Sequence, residues 1–158
     1  MRLALLALLG LGCSSTAHDH DHKHDSGHDH SGTSDTDLPD DFDDTQEKLS
    51  QDGLAYVAYT TDDGTLPESV EFGVTITLTD PDDQATVLDN ATVTAVDATM
   101  PAHGGHGMNV TPDVTNNGDG TFTAMPIKLH MPGHWVLHVD IEVNGVTDTT
   151  EFDIECCD

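Results

Sequence analysis

The feature that most constrains the fold is an alternating apolar stripe, formed by Trp135, Leu137, Val139, Ile141 and Val143. Successive side chains of a β-strand point to opposite faces, so this period of two indicates a strand with one buried face. Asn144-Gly145 follows the stripe at once and is typical of a two-residue hairpin turn of type I′. We therefore predict a long antiparallel hairpin that closes with Phe152 and Ile154.

The rest of the chain from about residue 49 reads in the same way. Short runs rich in Val and Thr alternate in polarity, and strong turn signals such as Asp62-Asp63-Gly64 and Asn116-Asn117-Gly118 separate them. One such run places Val93, Ala95 and Asp97 on one face and Thr92, Thr94 and Val96 on the other. No segment shows helical periodicity. We predict an all-β fold, a single immunoglobulin-like β-sandwich of about seven strands over residues 49–158.

The beginning of the chain carries an export signal. Met1-Arg2 and the apolar run Leu3 to Leu11 have the pattern of a signal peptide, which we predict over residues 1–12. Cys13 follows in a context that resembles a bacterial lipoprotein signal, which predicts acylation of Cys13 and anchoring in the cell envelope, periplasmic or at the cell surface. The alternative is ordinary secretion with cleavage after Ala17.

Residues 13–48 form a predicted disordered tail, because Asp, His, Ser, Thr and Gly offer almost no apolar surface to bury. Its alternating imidazole and carboxylate groups suit zinc, nickel and copper. The predicted metal ligands of the tail are His18, His20, His22, His24, His28 and His30.

The charge balance restricts the classes of molecule that this protein can bind. The chain has 30 acidic and 4 basic residues, for a net charge of −26. This excludes nucleic acid, which binds through Lys and Arg, and docking to anionic lipid through a basic patch. It favours metal ions or basic protein surfaces as partners. The alternative for the folded domain is that the acidic residues only keep its surface soluble.

A second group of potential metal ligands lies within the β-domain. Apart from Met1, every Met lies between residues 100 and 131, and every His outside the tail lies between 103 and 138. The group comprises two motifs at expected strand-to-loop junctions: Met100-Pro-Ala-His103-Gly-Gly-His106-Gly-Met108 and His130-Met131-Pro-Gly-His134-Trp135. Thioether and imidazole ligands together favour copper. The alternative is that the Met residues fill the core and that the His-Gly-Gly-His segment is a turn.

Strand periodicity restricts how these residues combine. If Trp135 faces the core, His134 and His138 face the other side with Asp140, about 13 Å apart, and cannot bind one ion together. A site must then combine His130 or His134 with the 100–108 loop, and Met131 has the parity of an inward side chain.

The two motifs also carry a family resemblance. Together with Asp80-Pro81-Asp82, Val93 to Met100 and Asp119-Gly120-Thr121-Phe122, they resemble the YtkA-like family over roughly residues 50–155. That family comprises small exported β-domains, related in pattern to the FixH proteins associated with copper delivery to respiratory oxidases. The resemblance implies an immunoglobulin-like fold and suggests a copper role for Met100, His103, His106, Met131 and Trp135. This chain departs from the usual Met-Pro-x-His-Gly-His-Gly by the additional Gly105.

Cys156 and Cys157 complete the inventory of potential ligands. They can pair with each other, pair between chains, bind a soft metal or lie in a frayed terminus, and the sequence does not choose among these. No motif of a hydrolase, metalloprotease or nucleotide-binding enzyme is present in the sequence, so we expect no enzymatic activity. The function predicted is an exported metal-binding lipoprotein for metal handling or delivery. The alternative is a structural or protein-interaction sandwich without a metal site in the domain.

Overall fold

The structure, a computed structural model, describes residues 38–157. The predicted signal peptide, Cys13 and the six histidines of the tail lie outside these residues. Within them, no helix is long and apolar enough to cross a membrane.

The described chain forms two antiparallel sheets that pack as a sandwich, which confirms the all-β prediction. One sheet has the order β1-β2-β3-β7-β6 and the other the order β5-β4-β8-β9. The described part of the chain has nine strands rather than about seven, because the short β1 and β5 and the polar β6 lack an alternating apolar pattern. The strands are β1 Glu47–Leu49, β2 Tyr56–Thr61, β3 Phe72–Thr79, β4 Ala91–Met100, β5 His106–Gly107, β6 Asp113–Asn116, β7 Thr121–Ile127, β8 Gly133–Val143 and β9 Val146–Cys156.

The predicted hairpin is confirmed. Strands β8 and β9 pair over their full length from Gly133↔Cys156 to Val143↔Val146. Asn144 and Gly145 have φ values of 53° and 80°, and a type I′ turn requires positive φ at both positions. Every residue of the apolar stripe on β8 is buried, and Trp135 packs among residues of both sheets in one core.

Strand β4 contains a β-bulge that the sequence pattern did not indicate. Val93 pairs with Ile141 and Ala95 with Asp140, so Thr94 is an extra residue opposite β8. The bulge reverses the parity of the strand, so that Val96 is buried while Ala95 is exposed. The prediction that Ala95 and Asp97 share a face with Val93, opposite to Val96, is therefore wrong, and Met100 turns into the core.

The ordered domain begins earlier than the predicted boundary at residue 49. Strand β1 pairs with β2 from Glu47↔Ala58 to Leu49↔Tyr56. The Phe42 ring contacts the His134 ring edge-on at 5.6 Å. The backbone N–H of Asp43 donates a hydrogen bond to Asp153. Residues 38–48, predicted as part of the disordered tail, thus lie on the sandwich because strand pairing and an aromatic contact offset the entropy of ordering them.

Candidate metal-binding site

The first candidate motif turns sharply at the end of β4. A single 3₁₀ turn spans Pro101–His103, and β5 then runs back along β4. Gly104 and Gly105 take positive φ values of 69° and 75°, which L side chains rarely adopt. The N–H of Gly105 donates to the carbonyl of Met100 at 3.1 Å. Met100 and His106 pair directly across the two strands, so their side chains leave the sheet on the same face.

The second motif lies between β7 and β8 and is held by two contacts. The N–H of Ser69 donates to the carbonyl of Leu129 at 2.7 Å, and Ser69 has a positive φ of 59°. The indole Nε1 of Trp135 donates to the carbonyl of Met131 at 2.9 Å. Both ends of the segment that carries His130 are therefore fixed. No sequence signal identified Ser69, because its role arises from a backbone contact distant in the chain.

The two motifs meet at a pair of imidazoles. Nε2 of His106 lies 3.0 Å from Nε2 of His130, and the ring centroids are 5.1 Å apart. The His130 ring also contacts the buried Trp135 ring edge-on at 5.4 Å. Nδ1 of His130 is buried and has no hydrogen-bond partner within residues 38–157, so packing against Trp135 orients this ring. The sequence predicted that either His130 or His134 combines with the 100–108 loop. In the structure, His130 lies beside this loop.

The sulfur-bearing residues of the two motifs lie against the core. Met100 is only 1% exposed, while Met108 and Met131 are half-buried and pack against the core. Met125, which belongs to neither motif, is 54% exposed on β7. Burial of the three motif methionines fits the core-filling alternative.

The remaining histidines of the domain lie elsewhere. His103 is exposed at the end of the 3₁₀ turn. His134 and His138 lie on the outer face of β8, as the periodicity predicts. Nε2 of His134 contacts Asp153 at 2.8 Å, and Nε2 of His138 contacts Oγ1 of Thr99 at 2.9 Å. The inclusion of His134 among the domain's metal ligands is therefore not supported, because its outward parity directs it to a carboxylate on β9. The pairing of His134 with Asp153 was not foreseen.

The two cysteines are part of the folded domain and not of a frayed terminus. Cys156 is the last residue of β9, is 2% exposed and pairs across the sheet with Gly133. Cys157 is half-buried and packs against the core. Their sulfur atoms are bonded to each other. Of the pairings left open by the sequence, the structure has the one between neighbours.

No protein-family model matches this sequence, and no curated protein or solved structure matches it. The resemblance to the YtkA-like family thus stays a prediction carried by the two motifs. Between residues 38 and 157, no three His, Cys, Asp or Glu side chains are grouped so as to hold one ion.

The imidazole pair fits a metal ion geometrically. Imidazole nitrogens bind such ions at about 2.0–2.1 Å, so two nitrogens 3.0 Å apart subtend close to a right angle at an ion placed between them. In the metal-free hydrogen bond, one of the two Nε2 atoms carries a proton. A metal ion bound to both nitrogens would replace that proton. A complete site requires further ligands. The Met residues of the two motifs are the candidate ligands closest in sequence to the two histidines.

Proposed function

We propose that this protein is an exported copper-binding protein whose folded domain holds one copper ion at the His106–His130 pair. The observation that carries the proposal is the 3.0 Å separation of the two Nε2 atoms, contributed by motifs that are distant in the chain. Both motifs are rich in side chains that bind soft metal ions. A turn without a metal-binding role does not require histidine at these positions.

The composition of the surroundings favours copper among the common metals. Copper(I) accepts thioether and imidazole ligands together, whereas zinc prefers thiolate, imidazole and carboxylate. The cross-strand partner of His106 is Met100, whose side chain is almost completely buried. Met108 and Met131 flank the two imidazoles in sequence. We propose Met108 and Met131, which are half-buried, as the thioether donors of this site.

The proposed role of the remainder of the chain follows from its composition. An acylated Cys13 would anchor the protein in the cell envelope, and the tail histidines would collect zinc, nickel or copper with little selectivity. Because the tail is covalently linked to the domain, the ions that it binds would be present at a high effective concentration for the domain site. Metal handling or delivery is the function proposed for the whole chain, without an enzymatic activity of its own.

The single Trp of the chain makes the domain site testable apart from the tail. Trp135 contacts His130, so a Cu(II) ion bound by His130 would be separated from the indole by one imidazole ring and would quench its fluorescence, while d¹⁰ Zn²⁺ would not. The test uses the full-length protein with the six tail histidines replaced by serine. We expect saturable quenching by one equivalent of Cu(II).

Three variants sharpen this test. His106→Ala and His130→Ala should each weaken the quenching transition at least about tenfold, since each removes one of two imidazoles. His134→Gln is the matched control on the outer face of β8 and should bind as the parent does. Equal quenching in the parent and the His106→Ala variant would remove the domain from the copper proposal.

The alternative proposal is a structural or protein-interaction module. The hydrogen bond from Trp135 to the Met131 carbonyl favours it, because this bond explains the second motif as a corner that orients the strand. It predicts that a protein partner captured by the full chain is retained after replacement of both His106 and His130, with no change in metal content.

A further inference from the structure

Two cross-strand pairs lie near one end of the sheet that contains β5, β4, β8 and β9. His106 on β5 pairs with Met100 on β4, and Gly133 on β8 pairs with Cys156 on β9. Residues paired directly in an antiparallel sheet direct their side chains to the same face. Met100 and Cys156 are both almost completely buried, so their side chains lie on the inner face, while His106 on the edge strand β5 is exposed.

Gly133 lies next to both Met100 and Cys156 and contributes no side chain to the space around them. A Cβ atom on Gly133 would lie 3.5 Å from the terminal methyl of Met100. Cys156 is the cross-strand partner of the same Gly133, and its sulfur is bonded to that of Cys157. The Met100 terminal methyl and the backbone of Cys156 thus border the same glycine on the inner face of the sheet.

We propose that Cys156 and Cys157, when reduced, bind one Cu(I) ion together with the Met100 thioether, and that their disulfide closes this site. Cu(I) favours thiolate and thioether sulfur, and it accepts a small number of ligands, so two thiolates and one thioether form a sufficient set. Disulfide sulfur lacks the negative charge of a thiolate and is a poor ligand.

The opening reaction is an ordinary exchange with a cellular dithiol. Two electrons from that dithiol break the sulfur–sulfur bond, two protons are taken up, and the reductant itself becomes a disulfide. Each cysteine thiol then releases its proton when its sulfur binds Cu(I). The copper affinity of this site therefore depends on the redox state of the two cysteines, in contrast to that of the imidazole pair.

The test compares oxidised and dithiol-reduced protein, again full-length with the tail histidines replaced by serine. The reductant is removed without oxygen, and Cu(I) is titrated against a chromophoric Cu(I) chelator. The reduced protein should take up one Cu(I) more than the oxidised protein, with sulfur-to-copper charge-transfer absorption in the ultraviolet. Equal uptake by both forms would overturn the proposal.

Variants separate this site from the imidazole site and from effects on folding. Cys157→Ser, at the half-buried position, should abolish the additional uptake while its urea midpoint stays close to that of the reduced parent. Met100→Leu should weaken the uptake at least about threefold, whereas Met125→Leu, at the exposed methionine, should not change it. Retained uptake in a folded Cys157→Ser variant would also refute the proposal.

The two copper proposals fail separately. The double variant with His106→Ala and His130→Ala loses the site of the proposed function, and its reduced form should still take up the additional Cu(I). Loss of this uptake in a double variant that remains folded would show that the cysteines do not form a site of their own.

Discussion

Asp148, near the start of β9, holds the segment that leads into β2. Its carboxylate accepts the backbone N–H of Asp52 at 3.1 and 3.2 Å and that of Leu54 at 3.3 Å. The N–H of Thr149 also donates to it, at 2.8 Å. The residue is only 8% exposed, so few water molecules can replace these donors. We expect Asp148→Asn to destabilise the domain more than the replacement of any exposed acidic residue.

The hydrogen bonds also shift the titration of this carboxyl. Burial by itself raises the pKa of Asp148, but hydrogen bonds from the Ser50 side chain and from the backbone of Asp52, Thr149 and Leu54 outweigh it and lower the pKa below 3.8. The unfolded chain then binds more protons than the native state near that pH. The stabilisation by the carboxylate is therefore complete above 3.8 and is lost as the pH falls through the lower folded-state pKa.

The magnitude follows from the number of acceptors lost. An amide keeps one oxygen and replaces the other by an NH₂ group, which donates and cannot accept. A hydrogen bond to a charged group contributes about 1.5–3 kcal/mol, so the loss of one such bond and of the charge should lower the free energy of unfolding by about 2 kcal/mol. For a domain of this size the melting temperature should fall by roughly 8 °C.

Urea unfolding of the parent and of the Asp148→Asn variant over a range of pH measures this effect. The difference in unfolding free energy should be largest near neutral pH and should shrink below about pH 4. Asp140→Asn, an exposed neighbour on β8, is the control for removing one negative charge from an acidic protein and should be neutral or slightly stabilising. A difference that stays constant down to the lowest pH, or an Asp148→Asn variant as stable as the control, would refute the reasoning.

Two further predictions concern the bulge and the charge. Deletion of Thr94 removes the extra residue of the bulge and leaves Val93 and Val96 two positions apart on one face, so Val96 and Met100 should stay inward and the domain should remain folded by circular dichroism; loss of the native spectrum would contradict this. Raising NaCl from about 0.05 to 1 M should increase the free energy of unfolding by about 1–2 kcal/mol, because salt screens the repulsion within a chain of net charge −26. A urea midpoint that is unchanged or falls with NaCl would contradict the second expectation.

Local pattern was sufficient for the β8–β9 hairpin and for the class of the fold. The stripe from Trp135 to Val143 sets which face is buried, because side chains alternate along a strand whatever the strand pairs with. Asn144-Gly145 sets the register, because few residues other than Asn and Gly accept two successive positive φ values. The outward position of His134 and His138 followed from this parity alone.

Long-range pairing decided the features that local pattern did not contain. The bulge at Thr94 appears only when β4 is aligned with β8, and this bulge turns Met100 inward. The short strand Glu47–Leu49 forms because β2 offers an edge for it to pair with, although its own residues are polar or charged in two positions of three.

The sequence by itself determined which chemical groups this protein can bring to a metal ion and on which strand faces several of them lie. Only the tertiary structure decided that His130, and not His134, meets His106, and that Cys156 lies across from Gly133 beside Met100. The physical reason is that contacts between motifs depend on how the two sheets pack and where a bulge reverses the strand parity. Neither the packing of the two sheets nor the position of the bulge is a property of a short stretch of chain.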